Sequence, residues 1–386
     1  MTPATTKKVV LGMSGGVDSS VAAKLLKEQG YEVIGVTLKV WEEEDETTTS
    51  KRWQERGCCK VGIAKHVAEI LDITHQVIDT RESFQRGVID DFIGGYLQGT
   101  TPNPCVRCNE RVKFGGLFQV AEQLGVDYVA TGHFARIQQD KAGTPFLARG
   151  LDPKKDQSYF LYRIPAKWLP KMVFPLGSME KPQVWAEAEA MGLPVDELKE
   201  SQEICFVTQG DYRDFLKENA PQAARPGNFV DAEGHELGQH EGVAFYTPGQ
   251  RKGLGIATGN RVYVQRVVPE LNLVVLGPPE DLDAKICYVT DLNIFSRENL
   301  VEGQGIDVKF RYGSPAAPAT LHWDSEISVC VTFKTPVRAL SPGQSAVFYQ
   351  GDRVLGGGII QTPKPSSQKS QPPVADEDSR LESAVF

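Results

Sequence analysis

Gly12-Met13-Ser14-Gly15-Gly16-Val17-Asp18-Ser19-Ser20 is the stretch from which the rest of the chain is read. The apolar run Val9-Val10-Leu11 before it predicts a short buried strand. Val21-Ala22-Ala23-Lys24-Leu25-Leu26 after it has helical spacing, with Gly30 placed as a stop. The order is strand, glycine turn, helix. Two adjacent glycines allow positive φ and leave backbone amides bare. With the Ser14 and Ser19 hydroxyls and the helix N-terminus, those amides suit a phosphate or pyrophosphate. The loop is not a Walker A loop, because no Gly-Lys-Ser/Thr follows, and it is not the G-x-G-x-x-G dinucleotide turn.

Working outward, Val33-Ile34-Gly35-Val36-Thr37-Leu38 predicts a second buried strand. A helix is expected from Gly57-Cys58-Cys59 onward, with Ile63, Val67, Ile70 and Leu71 on its inner face. Residues 74–78 predict a third strand and 84–96 a helix. After the proline-rich turn 99–104 and Cys105-Val106-Arg107-Cys108-Asn109, a helix runs through Phe114, Leu117, Val120 and Leu124. Residues 127–130 predict a fourth strand, ended by Thr131-Gly132-His133. Alternating strands and helices imply a parallel sheet covered on both faces. Ligands of such sheets bind beyond the C-terminal strand ends, where the glycine loop and the Gly132 turn both lie. Phe146 to Arg149 continues this sheet or forms a hairpin, 201–207 is strand-like, and 212–216 is a short helix.

Near Pro221 the texture changes to short β runs punctuated by Gly and Pro. Residues 227–230, 262–264 and 273–276 are examples, and from Lys285 the runs 287–289, 307–312, 327–333 and 354–360 follow. Closely spaced short strands predict a small barrel or sandwich. The expected organisation is α/β: a Rossmann-like parallel-sheet domain over 1–218, a small central β domain over 219–284 and a C-terminal β-barrel over 285–361. The Pro/Ser/Gln-rich residues 362–386 read as a disordered tail.

At 386 residues the chain is long for one compact domain. No apolar stretch has membrane-spanning length, and Met1 to Lys8 has no apolar core of a leader, so a cytoplasmic protein without membrane contact is expected. The net charge of −8 argues mildly against a broad nucleic-acid footprint, although Glu42 to Glu46 alone supplies five negative charges. Seven cysteines, an odd number, argue for reduced thiols rather than a disulfide framework. Cys105-x-x-Cys108 offers half a zinc site, a redox pair or one structural and one incidental thiol. Cys58-Cys59 is adjacent rather than spaced, so a four-cysteine zinc site is unconvincing. A reactive thiol beside a phosphate loop points instead to sulfur or acyl transfer.

Ser-Gly-Gly-Val-Asp-Ser resembles the pyrophosphate loop of the ATP pyrophosphatases, which adenylate an oxygen of their substrate. Taken in order, the loop, Thr101-Pro102-Asn103-Pro104-Cys105-Val106-Arg107-Cys108-Asn109, Ala130-Thr131-Gly132-His133, Lys155-Asp156-Gln157-Ser158 and Gln202-Glu203-Ile204-Cys205-Phe206 resemble the tRNA-specific 2-thiouridylase family, from about Val9 to Ile360. That resemblance implies a sulfurtransferase acting on the wobble uridine, position 34, of tRNA. It implies that Gly12, Met13, Ser14, Gly15, Gly16, Val17, Asp18 and Ser19 hold ATP phosphates with Mg²⁺, and that Leu38 and Gly132 contact adenosine. Cys108 would be the nucleophile and Cys205 the persulfide carrier, fed by a sulfur donor protein, a cysteine desulfurase or a sulfur carrier. Asn103, Pro104 and Cys105 would lie near the target base, and Lys155, Asp156, Gln157, Arg311 and Tyr312 would touch tRNA.

The chemistry accords with those residues. Adenylating a uracil C2 oxygen creates a leaving group, a persulfide sulfur attacks C2, and a second thiol releases it by forming a disulfide. The base has to leave its stack to be reached. Much of the family has Asp where this chain has Cys105. That departure opens a second route, an iron–sulfur cluster on Cys105, Cys108 and Cys205. Two other classes fit parts of the chain: a pyrophosphatase acting on a small molecule, which would need neither thiol, and a non-catalytic RNA-binding protein, against which the intact loop argues.

Overall fold

A computed structural model describes residues 6–40, 60–193, 195, 204–207, 211–256 and 259–361. The acidic run at 42–46, Cys58, Cys59, residues 201–203 and the 362–386 segment lie outside the described residues. The strands β1 (Lys8–Gly12), β2 (Glu32–Lys39), β3 (Thr74–Asp79) and β4 (Tyr128–Thr131) form a parallel sheet. The hairpin of β5 (Ala135–Gln139) and β6 (Pro145–Arg149) follows, and β7 (Met172–Val173) returns to the sheet edge. The order β3-β2-β1-β4-β7 makes the gap between β1 and β4 the switch point, where Gly12 pairs with Thr131.

Val9, Val10 and Leu11 are fully buried because both faces of β1 are covered. Val9 and Leu11 pack with helix α1 (Val17–Glu28) and helix α2 (Val61–Ile70), while Val10 packs on the opposite side with Phe114 and Leu117. Helix α1 ends as the sequence predicts: Gly30 has φ +82°, its N–H donates to the Lys27 carbonyl at 2.9 Å, and Tyr31 N–H reaches Leu26 O at 3.1 Å. In α2 the inner face is Ala64, Val67 and Ala68, and Ile70 is 47% exposed, contrary to the expected face.

Helices α3 (81–97) and α4 (104–124) each carry a wide π turn, Gln85–Ile89 and Cys108–Lys113. The Cys105-x-x-Cys108 motif was expected ahead of the helix, yet it forms the first turn of α4. Asn103 caps it through Oδ1, which accepts from Val106 N–H at 3.3 Å, and Pro104 occupies the first helical position. Helix α5 (Lys181–Ala190) covers α1, and α6 (Tyr212–Asn219) leads into the β-rich part.

There β8 (Gly227–Val230), β9 (Glu236–His240), β10 (Tyr263–Val268) and β11 (Leu273–Gly277) form a four-stranded sheet in the order β10-β11-β8-β9. It shares its apolar core with α3, Phe229 and Val264 lying in one cluster with Phe84 and Phe92. The last six strands are β12 (Asp283–Ile294), β13 (Gln304–Lys309), β14 (Ala317–Trp323), β15 (Val329–Arg338), β16 (Ser345–Gln350) and β17 (Arg353–Ile360). They close into an antiparallel barrel through the β12–β17 pairing.

Of the two readings of Phe146 to Arg149 the hairpin holds: β6 pairs with β5, and the hairpin extends the barrel sheet, with Arg353 paired to Ala148. Two expectations differ from the structure. Residues 204–207 form a turn, not a strand. Arg311 and Tyr312 lie past the end of β13, in a turn.

Candidate active site

The loop after β1 is held from inside the sheet. Met13 N–H donates to Val36 O at 2.8 Å, and the Thr37 hydroxyl donates to Met13 O at 2.7 Å. Gly15 has φ +75°, and a Cβ there would overlap the Lys60 carbonyl. Its glycine is therefore required twice, by conformation and by the close approach of Lys60, whose N–H donates to Ser14 O at 2.8 Å. At Gly16, by contrast, an added Cβ would meet only Ser14 Oγ, at 3.5 Å, so that side of the loop is open. Ser14 N–H donates to Ser19 Oγ at 3.2 Å, and Ser19 Oγ donates to Gly16 O at 3.0 Å. The first turn of α1 points its amides into this cradle.

Two further groups complete it. Gly132, beyond β4, packs so closely on α1 that a Cβ would lie 2.8 Å from the Asp18 carbonyl carbon. Lys181 Nζ, on a nearly buried side chain, pairs with Asp18 Oδ1 at 2.6 Å. Sequence reasoning missed Lys181. Its signal is Glu180-Lys181-Pro182-Gln183, a capping box that places Lys181 at a helix start. Amide and hydroxyl donors, an ammonium and one carboxylate form a donor set that fits a triphosphate and its Mg²⁺. Leu38, near the end of β2, is 8% exposed and lies against Gly116 of α4.

His133 follows Gly132. Its Nδ1 is 2.7 Å from Thr131 Oγ1, and its ring stacks on Phe114 at 5.9 Å. Burial, helped by the charge of Lys113, lowers its pKa to about 3, so the imidazole stays neutral near pH 7.

Helix α4 places the thiols. A Cβ at Gly12 would sit 3.0 Å from Leu117 Cδ1, so Leu117 is level with the sheet edge. Helix α4 leads into the parallel strand β4 and so runs antiparallel to the strands, which puts Cys108, more than two turns before Leu117, beyond that edge. Cys108 is buried, while Cys105 is exposed. Cys205, on the 204–207 turn, packs half-buried against the apolar cluster that contains Cys108, Phe92 and Phe206. Two thiols 97 positions apart in sequence therefore share one cluster.

The projecting segment is braced by both β units. Thr101 N–H donates to Pro342 O at 2.7 Å, Gln344 Nε2 donates to Thr101 O at 2.9 Å, and the Thr101 hydroxyl reaches Thr247 Oγ1 at 3.3 Å. On either side of Cys108, Arg107 Nη2 donates to Asp291 Oδ2 at 3.0 Å and Arg163 Nε donates to Glu110 Oε2 at 2.8 Å. Arg163 also reaches Asp291 Oδ1 at 3.1 Å, so one barrel carboxylate holds two arginines. Burial acts to raise the Asp291 carboxyl, but these two cations outweigh it and keep its pKa below the usual range. Asp291 was not legible as a site residue because its partners lie 128 and 184 positions away.

The remaining residues divide. Asp156 is buried and accepts from the Gly150 and Ser158 amides at 3.0 Å each, and Gln157 Oε1 accepts from Phe134 N–H at 2.9 Å. Arg311 donates to Ala339 O and to Ser341 Oγ, joining the barrel to the 247–249 turn. Lys155 is half-buried, and Tyr312 is 37% exposed beside Phe160.

A glycine-turn cradle at the switch point of a parallel sheet, with two thiols in one apolar cluster, has the make-up of an ATP pyrophosphatase-type enzyme. Comparison with known proteins agrees. Residues 7–209 match the family described as the tRNA methyl transferase HUP domain, 213–278 its PRC-barrel domain and 284–360 an aminomethyltransferase β-barrel domain. A tRNA-specific 2-thiouridylase of Moorella thermoacetica is 48% identical over 92% of this chain and 99% of its own. One from Clostridium perfringens is 46% identical over 93% and 99%. Among solved structures, NMN synthetase from Francisella tularensis is matched with a TM-score of 0.31 at 17% identity, covering 55% of this chain and 78% of that one, a likeness too slight to carry an argument. The chain belongs to the tRNA-specific 2-thiouridylase family.

Proposed function

We propose that this chain transfers sulfur to C2 of the wobble uridine, position 34, of tRNA in an ATP-dependent reaction, with Cys205 as persulfide carrier and Cys108 as the resolving thiol. The carrying observation is that Cys108, on the segment projecting beyond the glycine cradle, and Cys205, on the 204–207 turn, belong to one apolar cluster. Bound ATP with Mg²⁺ supplies adenylation of the C2 oxygen, which makes that oxygen a leaving group. Gly12 to Ser19 and Lys181 hold the phosphates, and Leu38 and Gly132 border the adenosine. The terminal persulfide sulfur attacks C2 and AMP departs with the oxygen. The Cys108 thiolate then attacks the inner sulfur, giving a Cys108–Cys205 disulfide and leaving the outer sulfur on the base. A reductant resets the pair, and a sulfur donor protein reloads Cys205.

Asn103, Pro104 and Cys105 border the base, and Lys155, Asp156, Gln157, Arg311 and Tyr312 shape or line the tRNA face. We draw the domain boundaries at 218/219, 284/285 and 361/362. Among the described residues no helix is long and apolar enough to cross a membrane. Cys105 faces solvent while Cys108 is buried, which favours the thiol pair over an iron–sulfur cluster on Cys105, Cys108 and Cys205.

The test is a pair of variants. Cys205→Ser is expected to retain tRNA-dependent ATP–pyrophosphate exchange and to lose thiolation. Cys108→Ser should accumulate an extra sulfur on the Cys205 peptide by mass spectrometry. Stoichiometric iron in anaerobically purified protein, lost together with activity in Cys105→Ser, would overturn the persulfide route.

A further inference from the structure

His75 belongs to β3, two strands away from the strand that carries the glycine loop. Strand β2 lies between them. Gly35 of β2 pairs with His75 in register, and Thr37, two positions along, faces the same side and is fully buried. His75 Nε2 lies 2.8 Å from Thr37 Oγ1. The same hydroxyl donates to Met13 O at 2.7 Å. A hydroxyl carries one hydrogen, and two oxygens at that separation need it between them. Thr37 can therefore only accept from His75, so the imidazole carries its hydrogen on Nε2. Burial, aided by the charge of Lys65 on α2, lowers the His75 pKa, so near pH 7 the ring is neutral and Nδ1 holds no proton. Gly35 makes room for this arrangement: a Cβ there would lie 2.5 Å from Met13 Sδ and 3.2 Å from His75 Cδ2.

We propose that His75 is a positioning residue of the nucleotide cradle, acting through Thr37 on the Met13–Ser14 peptide. The proposal rests on the reading of the cradle as the ATP phosphate site. A trans peptide is planar, with its carbonyl and its N–H on opposite sides. A Met13 carbonyl held toward β2 therefore turns the Ser14 amide away from the sheet and into the cradle, where it donates to Ser19 Oγ at 3.2 Å. Met13 N–H is fixed at the same time by Val36 O, at 2.8 Å. Both backbone groups of Met13 are thus tied to β2, and Ser14 carries the first amide directed at a phosphate. A threonine hydroxyl by itself rotates to suit its partners. The His75 N–H takes up one side of the Thr37 oxygen and leaves Met13 O as the direction of its hydrogen. Donors aimed before the ligand arrives spare the reorganisation that binding would otherwise require.

The experiment measures ATP affinity and tRNA-dependent ATP–pyrophosphate exchange of the full chain for the wild type, Thr37→Val, Thr37→Ser, His75→Leu and His75→Gln. Valine has the shape of threonine, so Thr37→Val removes the hydroxyl without opening a cavity, and it is expected to weaken ATP binding about tenfold. His75→Leu should weaken it about threefold, because the hydroxyl loses its direction but keeps its hydrogen. Glutamine can place an amide N–H where the imidazole Nε2–H lies, so His75→Gln is expected to bind ATP within about twofold of the wild type, as is Thr37→Ser. A second measurement reads the wild-type ring itself. Nitrogen-15 NMR of histidine-labelled protein, with the His75 signals identified by their absence from His75→Gln, should show the Nε2–H tautomer at pH 7. An Nδ1–H tautomer, wild-type ATP affinity in folded Thr37→Val, or a His75→Gln no better than His75→Leu overturns the proposal. A wild-type chain that binds no ATP would instead remove the reading of the cradle on which the proposal stands.

Discussion

The cradle at Gly12–Ser19 and the thiol-bearing segment at 99–113 stand over the same sheet edge, and their supports differ. The cradle is shaped mainly by chain close in sequence: Thr37 bonds Met13 from 24 positions away, and Ser19 bonds Gly16 from 3. Its longer-range supports, Lys60 on Ser14, Gly132 against Asp18 and Lys181 on Asp18, all come from the same parallel-sheet unit. The thiol segment is held by Gln344 on Thr101, 243 positions away, and by Asp291 on Arg107, 184 positions away. A locally shaped loop can bind its ligand whatever the distant domains do. A segment held by two other units reaches its working geometry only when all three are docked, so damage in the barrel should reach the sulfur step and spare nucleotide binding.

The largest effect should come from the local side. Gly15→Val forces a β-branched residue to φ +75° and into the Lys60 carbonyl. We expect tRNA-dependent ATP–pyrophosphate exchange and thiolation both to fall about 10²- to 10³-fold, with a stability loss of about 1–3 kcal/mol. Thermal unfolding and product analysis by mass spectrometry would check this. Full thiolation by a folded Gly15→Val protein would break the assignment of the cradle.

The comparison itself is tested at Asp291. This residue has φ +49°, a conformation that Asn tolerates, so Asp291→Asn removes the charge without changing the backbone demand. Because the carboxylate is half-exposed, the expected stability loss is only about 1–2 kcal/mol. The kcat for thiolation should fall about tenfold through misplacement of the Cys108 segment, with ATP affinity intact. Weakened ATP binding with an unchanged kcat would show that the two regions are not supported separately.

His133 provides the smallest effect. Its pKa in the folded chain is lowered from 6.5 to about 3, so the folded state keeps the neutral ring. The contribution is fully present above pH 6.5 and is lost progressively as pH falls toward 3, because the unfolded chain takes up the proton first. His133→Gln should flatten the decline in melting temperature between roughly pH 7 and pH 5. An unaltered pH profile would mean that the imidazole is not buried as described.

Legibility in the sequence followed contact range. The strand–loop–helix at 9–26, the Gly30 stop and the parallel order were readable because each depends on neighbours a few residues apart. Of the two demands for glycine at position 15, the positive φ, found at +75°, was readable, while the close approach of the Lys60 carbonyl was not. Helix α4 starts at Pro104, inside the stretch whose prolines argue for an irregular turn, because Asn103 caps it and a proline is tolerated in the first turn.

What the amino-acid order determined alone is the fold class and the strand–glycine turn–helix at 9–26, since these follow from periodicity and glycine conformation. Tertiary structure alone decided which residues meet. The 135–149 hairpin joined the barrel because β6 pairs with β17. Arg311 was drawn into the contact with Ala339, while Lys309 was left buried beside an open pocket. Cys205 was brought into the Cys108 cluster from 97 positions away. Periodicity reports which face of an element is buried, but not which distant element covers it, and that choice is made only when the three units pack.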